Sequence, residues 1–300
     1  LDFTRCALFV DFDNDGDQDV VLGLSWHLIF LRNDGPLAGG GMKFTPRFRS
    51  ACPGMVYALA AADYDNDGDV DIYASGRYAK ETLESEQQIL GLPVPYHDAN
   101  NGGRSSLWRN EGAMVFKDVT EETGVDANNT RFTLAASWDD YDNDGDQDLY
   151  IANDFGRNNL YRNNGKGADG LVTFTDVAGA AGVEDLGAGM SVGWGDANGD
   201  GLMDVYVANM YSSAGHRVTE QAAFMEGVNQ KTLAAFKRHA RGNSLYVNNG
   251  DGTFRDATYP AGVNMGRWAW SSLFADLNND GRQDLVVANG FISAESEDDL

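Results

Sequence analysis

Residues 11–19 read DFDNDGDQD, and the same nine-residue figure returns as DYDNDGDVD at 63–71, DYDNDGDQD at 140–148, DANGDGLMD at 196–204 and DLNNDGRQD at 276–284. The shared pattern is Asp-x-[Asp/Asn]-x-Asp-Gly-x-x-Asp. Successive copies start 52, 77, 56 and 80 residues apart, a mean of about 66, longer than the roughly 40–45 residues of a WD40 blade. A recurring unit of this kind sets the organisation of the whole chain, so every other feature is read within it.

Outward from each acidic loop, the flanking residues read as strands. Five residues before it stands a small side chain, Cys6, Ala58, Ala135, Ser191 or Ser271, which predicts a crowded place on an innermost strand. After it comes an apolar, β-branched or aromatic run such as Val20-Val-Leu, Leu149-Tyr-Ile or Val205-Tyr-Val, a second strand. A third strand starts at Phe30, Leu107, Leu160 or Leu245 and ends in an Asn and Gly turn, a strong hairpin signal. A fourth carries Phe44, Phe116, Phe174 or Phe254 and, in the later units, runs on to Gly-Val at Val125, Val183 and Val263. Four antiparallel strands per unit, each unit unable to bury both faces alone, predict an all-β fold, a β-propeller. The blades fall at about 5–50, 56–125, 132–185, 188–263 and, in part, 267–300, so residues 1–300 form a single propeller of which about four and a half blades are in view.

Two insertions, 79–104 and 211–242, fall between the second and third strands of their blades. Successive turns of an up-and-down blade alternate ends, so both should emerge opposite the acidic loops. The stretch from Thr219 to Arg241 is Ala-rich with roughly helical spacing of Val218, Ala222 and Met225, then Leu233, Phe236 and Ala240, which predicts one or two short helices.

The loops themselves read as metal sites. Oxygen-bearing side chains hold positions 1, 3, 5 and 9: Asp11, Asp13, Asp15 and Asp19; Asp63, Asp65, Asp67 and Asp71; Asp140, Asp142, Asp144 and Asp148; Asp196, Asn198, Asp200 and Asp204; Asp276, Asn278, Asp280 and Asp284. Position 7 is Asp17, Asp69, Asp146, Leu202 or Arg282, so only its main-chain carbonyl is expected to serve. A hard cation such as Ca²⁺ takes 6–8 oxygens at about 2.3–2.6 Å, and EF-hand loops supply them from alternate positions around a glycine turn. Here strands rather than helices flank the loop. The five copies carry 21 aspartates, and carboxylates so crowded repel one another without a counter-ion. Five Ca²⁺ would bring the formal charge from −24 to −14. Mg²⁺ suits the pattern less, because it prefers a smaller octahedral site, and soft ligands for zinc or copper are absent from the loops. Asp, Asn and Gly also make ordinary solvated turns, but five copies in one register argue against that reading.

The loops, the Asn-Gly turns and the strand Gly250-Asp-Gly-Thr-Phe254 resemble FG-GAP/VCBS repeats, as in integrin α-chain propellers, and most of all the cartilage acidic protein/ASPIC–UnbV group. The resemblance covers the chain apart from its two insertions. It implies a calcium-stabilised propeller, commonly of seven blades, that is secreted, periplasmic or on the cell surface and binds proteins or glycans. Dockerin loops precede helices, thrombospondin-type calcium repeats are rich in cysteine, and RTX nonapeptides are contiguous. None of these matches strand-flanked loops more than 50 residues apart.

Composition narrows the partners. With 22 basic against 46 acidic residues the chain is repelled by nucleic acid and by anionic lipid. The longest apolar runs, such as Val56 to Ala62, are far short of a transmembrane helix. The first residue is Leu1, within a strand, as expected of a processed chain or a fragment. Cys6 and Cys52 are too few for a disulfide framework and show no CxxC spacing; they are either two buried small apolar residues or a single bridge.

Function follows from the scaffold. The first expectation is a non-enzymatic binding or scaffold module, with calcium at one end of each blade and the loops and insertions 79–104 and 211–242 at the other end as the recognition surface for a protein or glycan, within a larger assembly or alone. Phe224, Met225, Leu233 and Phe236 could dock a partner or pack on their own blade. The alternative is a carbohydrate-active enzyme, a polysaccharide lyase or hydrolase, for which Tyr96, His97 and Arg104 in the first insertion and His216, Arg217, Glu220 and His239 in the second are the candidate groups. No GxSxG, HExxH or P-loop supports it. His27 beside Trp26 is read as packing, and most of Trp26, Trp108, Trp138, Trp194, Trp268 and Trp270 as core between blades.

Overall fold

A computed structural model of the chain describes residues 3–80 and 92–290. Residues 81–91 of the first insertion and the end of the fifth unit, 291–300, lie outside the described residues. Among the described residues, eighteen strands form four four-stranded antiparallel sheets and one pair. The first sheet holds β1 Thr4–Val10, β2 Asp19–Leu24, β3 His27–Pro36 and β4 Met42–Ala51; the second holds β5 Gly54–Ala62, β6 Asp71–Ala79, β7 Ser106–Asn110 and β8 Phe116–Asp118. The third contains β9 Thr133–Asp139, β10 Asp148–Asn153, β11 Asn159–Lys166 and β12 Val172–Asp176; the fourth contains β13 Gly189–Gly195, β14 Asp204–Asn209, β15 Ser244–Asn248 and β16 Phe254–Asp256. The pair is β17 Ala269–Ala275 with β18 Asp284–Asn289. Within each sheet the strands lie in chain order.

The first strands of successive blades, β1, β5, β9, β13 and β17, pack side by side along the inner edge, the arrangement of propeller blades. Small residues are needed there. A Cβ on Gly23 would come within 2.5 Å of Cys6 Sγ, and one on Gly195 within 2.5 Å of the Phe274 ring in the next blade. Ser191 Oγ accepts a hydrogen bond from the Ser272 main-chain N–H at 3.1 Å, crossing the same boundary. Both cysteines are thiols, and burial pushes the Cys6 thiol up to about 11.

Cores lie between blades rather than within them. Phe12, Val21 and Phe30 of the first blade pack with Val56, Ile72, Trp108 and Phe116 of the second. Tyr64, Tyr73 and Leu107 pack with Leu149, Tyr161 and Phe174, and Tyr150 and Leu160 with Val205, Tyr246 and Phe254. Val125, Val183 and Val263 each end a blade in one of these cores. Each sheet therefore depends on its neighbour for its apolar burial, as repeat architectures require. Among the described residues no strand pairing joins the fifth unit to the first.

Both insertions leave from the β6–β7 and β14–β15 connections, opposite the acidic loops. Among the described residues, besides the single-turn helix α1 Ala178–Ala181 in the third blade, the α-helices described along their whole length are α2 Ser213–Thr219 and α3 Gln230–His239, both in the second insertion. Of the one or two short helices expected in Thr219–Arg241, α3 lies inside that stretch; α2 ends at its first residue, and 220–229 is turn, bend and irregular chain. Met225 and Gly227 sit at φ 48° and 86°, left-handed values that a helix cannot continue through. Side-chain caps define both starts, Ser212 accepting from Gly215 N–H and Asn229 from Thr232 N–H.

Candidate metal centre

Each acidic loop joins the first and second strands of its blade, and its backbone is set by two left-handed residues. Position 4 is Asn14, Asn66, Asn143 or Asn279 at φ 58°, 55°, 57° and 59°, with Gly199 in the fourth loop. Asparagine tolerates that region better than other non-glycine residues. Position 6 is always glycine, at φ 93° in Gly16 and 82° in Gly281. The curl these residues create turns main-chain N–H groups inward onto the carboxylates. Asp63 Oδ1 accepts from Asp67 N–H at 3.1 Å and Oδ2 from Gly68 N–H at 2.9 Å, and the equivalent pair recurs in the other four loops. The position-5 carboxylate accepts from the position-7 N–H in every loop.

The position-9 carboxylates are buried more deeply, with Asp19, Asp71, Asp148 and Asp204 fully enclosed. Oδ2 accepts from the position-2 N–H in all five loops, as from Tyr64 to Asp71 at 3.2 Å. Oδ1 accepts from the main-chain N–H of the third-strand Asn that stands two residues before the glycine: Asn33, Asn110 and Asn248 at 2.8 Å and Asn163 at 2.7 Å.

Position 3 is different. Oδ1 of Asp13, of Asp65 and of Asp142 is shielded from solvent and accepts no hydrogen bond. One carboxylate oxygen each from Asp11, Asp13 and Asp15, from Asp63, Asp65 and Asp71, and from Asp140, Asp142 and Asp148 lie mutually within 4.8 Å. Burial first, then the neighbouring carboxylates, raises the pKa of Asp13 and Asp142, and of Asp65 despite opposing Lys166 and Arg109. Burial, reinforced by nearby loop carboxylates, pushes Asp71 and Asp148 up to about 8 against the pull of their main-chain donors. A buried acceptor with no donor is costly, and so are like charges held together. Converging anionic oxygens, one of them in each of these three loops without a donor, fit a hard divalent cation and do not fit a soft metal. The side chains at positions 1, 3, 5 and 9 would hold it, and the ion would supply charge neutralisation and a cross-link across the loop.

The fourth and fifth loops are chemically distinct. Asn198 Oδ1 accepts from Asp200 N–H at 2.9 Å and its Nδ2 donates to Asp200 Oδ2 at 2.8 Å, while Asn278 Oδ1 accepts from Asp280 N–H at 2.9 Å. Their position-3 oxygen already has a partner.

Two groups of residues were not legible as part of the site. The Asn of the Asn-x-Gly turns reads in sequence as turn chemistry alone, yet Nδ2 of Asn110, Asn163 and Asn248 donates to the position-2 carbonyl one blade back, Phe12, Tyr64 and Tyr141, at 2.9, 2.9 and 2.8 Å. The signal was an Asn recurring two residues before glycine in four units. At position 7, where only the carbonyl was expected to matter, Asp69 Oδ1 accepts from Asn14 Nδ2 and Asp146 Oδ1 from Asn66 Nδ2, both at 2.9 Å. Adjacent loops are thus wired side chain to side chain. Leu202 and Arg282 offer no such acceptor.

On the opposite face the enzyme candidates are divided. Tyr96 meets His239 edge to face with centroids 5.1 Å apart, and His97 packs on Phe236. Arg104 pairs with Glu121, Glu220 with Lys237, and His216 lies beside Tyr211. Of the tryptophans, Trp108, Trp138 and Trp194 join the cores between blades, whereas Trp270 is about half exposed.

The sequence profile of FG-GAP-like repeats matches residues 11–74, 140–207 and 233–287, well over half of the chain and each span containing an acidic loop. The chain belongs to the FG-GAP-like repeat family. Cartilage acidic protein 1 of Mus musculus is 24% identical to it over 315 aligned residues, covering 85% of this chain and 45% of that protein. Cartilage acidic protein 1 of Homo sapiens is 26% identical over 322, covering 85% and 44%. The chain spans less than half the length of these relatives. This FG-GAP-like propeller has no described helix long and apolar enough to cross a membrane.

Proposed function

We propose that this FG-GAP-like propeller is a calcium-loaded, non-enzymatic recognition module that works outside the cytoplasm, secreted, periplasmic or on the cell surface. Calcium at the five loops fixes one rim, and the opposite rim, carrying residues 92–104 and 211–242, engages a protein or glycan. The observation that carries the reading is the recurrence of one solvent-shielded, partnerless oxygen at the same loop position, on Asp13, Asp65 and Asp142. Resting extracellular calcium is high enough to fill loops of even micromolar to millimolar affinity. The likeness to cartilage acidic protein 1 and the anionic charge of −24 support a binding role away from nucleic acid.

Isothermal titration of the metal-stripped protein tests it. Calcium should bind at three to five sites per chain, and a calcium-loaded sample on glycan and extracellular-protein arrays should give signals that EDTA abolishes. No calcium uptake, or turnover of acidic polysaccharides to unsaturated products, sinks the proposal.

A further inference from the structure

An arginine accompanies three of the acidic loops. Arg32, Arg109 and Arg162 each stand on the third strand, one residue before the Asn whose main-chain N–H binds the position-9 carboxylate. In the fourth unit that place belongs to Val247, so the strand forms without an arginine. Its presence goes with charge. Each of the first three loops carries five aspartates, whereas the fourth, with Asn198 and Leu202, carries three.

The three arginines differ in what holds them. Arg32 Nε donates to Asp34 Oδ1 and Arg109 Nε to Glu111 Oε1, both at 2.9 Å, so a carboxylate two residues on offsets much of each charge. At Arg162 the residue two on is the neutral Asn164, whose Oδ1 accepts from Nη2 at 3.4 Å. Arg162 is exposed, and it shares with Asp142 and Asp144 a cleft between the third and fourth blades whose far wall is the turn at 250–253. The carboxylate of that turn, Asp251, already accepts from the Thr253 N–H and hydroxyl at 3.0 and 2.5 Å. Burial and the charges of Asp144 and Asp140 all disfavour the ionised form of Asp142, and Arg162 is the side chain that opposes them. A fixed positive charge has opposite consequences in two states of such a loop. It attracts the carboxylates when they are alone and repels a divalent cation that comes to sit among them.

We propose that Arg162 is a built-in counter-charge for the third loop, holding its carboxylates together when no metal is present and weakening the hold on calcium when the ion enters. It is a tuning residue and not a ligand. The inference rests on the calcium reading above and deepens it, since it names the side chain outside the loop that sets how tightly that loop binds.

Competition of the full chain against a chromophoric calcium chelator at low ionic strength gives the successive calcium constants, and melts in EDTA give the metal-free stability. In Arg162→Met the product of the association constants should rise about three- to tenfold, an effect that shrinks in high salt. The metal-free Tm of the same variant should fall by about 1–2 °C. Arg162→Lys, which keeps the charge, should match the wild type in both. Removing the partner should remove the effect: in an Asp142→Asn background, Arg162→Met should leave the metal-free Tm where it was. A residue that merely supported the strand would weaken the metal-free and the calcium-loaded chain alike, and that outcome overturns the proposal. A wild-type chain that takes up no calcium overturns the calcium reading itself, whereas unchanged constants in Arg162→Met, in a chain that does bind calcium, overturn this proposal alone.

Discussion

Asn110 reaches across a blade boundary to Phe12: its Nδ2 donates to the Phe12 main-chain carbonyl at 2.9 Å, spanning 98 residues of sequence. Its own N–H meanwhile donates to Asp71 Oδ1 at 2.8 Å. One buried residue, through its main chain and its side chain, therefore ties the acidic loop of the second blade to that of the first. Asn110→Ala leaves the Phe12 carbonyl without that donor, at a cost of about 1–3 kcal/mol. Urea unfolding with calcium present should show it, and Asn163→Ala should cost about as much. Losses near zero in both would mean the bond does not bear on stability.

Calcium should stabilise the native state by mass action, by about 2.7 kcal/mol per site at a hundredfold excess over Kd. The Tm is expected to fall by several degrees in EDTA, to return with Ca²⁺, and to return less with Mg²⁺. Identical melts in EDTA and calcium would remove the metal from the account.

Asp65→Asn should reverse its effect with conditions. Asp65 carries the partnerless oxygen and sits among carboxylates, so the amide relieves repulsion when no metal is present. The variant should melt at or above the wild-type temperature in EDTA and below it in calcium. Asn198 and Asn278 show that an amide is accommodated at this position. A variant weaker in both conditions would mark Asp65 as a structural residue only.

The pH dependence has a defined sign. Asp71 and Asp148 titrate near 8 in the folded, metal-free chain, well above an ordinary aspartate. A raised carboxyl pKa means folding disfavours the charged form, so metal-free stability should be greatest below about pH 4 for these two groups and decline as pH rises toward 8. Calcium needs the deprotonated forms, so its stabilisation should grow over the same interval. Melts from pH 5 to 8 with EDTA and with calcium should diverge; parallel curves would refute the assignment.

Asp69→Ala should cost more than Asp17→Ala. Asp69 accepts from Asn14 across the boundary, whereas Asp17 lies in the first loop with no described loop before it to donate. The bond is exposed, so the difference should be about 0.5–1 kcal/mol in chemical unfolding with calcium. Equal costs would mean that the link between loops adds nothing.

The repeat was readable in sequence because aspartate and glycine at fixed spacing are imposed by one local geometry five times over. The strand order followed from the same register, and the placement of the insertions from the alternation of turns. What escaped was chemistry between units. Asn110 reads as a turn residue because its second bond is made to a carbonyl 98 positions away, and spacing within a unit carries no trace of it. Asp69 escaped because residues that differ from copy to copy look free to vary. Apolar spacing placed a short helix within 219–241, where α3 forms, but gave no sign that the chain between α2 and α3 turns through Met225 and Gly227 at positive φ. The cysteine alternatives were settled by packing, with the thiol of Cys6 lodged beside Gly23.

The substitution of an amide at position 3 in the last two loops gives the molecule an order of failure. Fewer anionic oxygens mean a weaker grip, so if the loops hold calcium as proposed, the fourth and fifth would surrender their ions first as the cation thins, while the first three still hold theirs. Loosening would then be stepwise, a graded response to shortage where a uniform set of clasps would give way all at once.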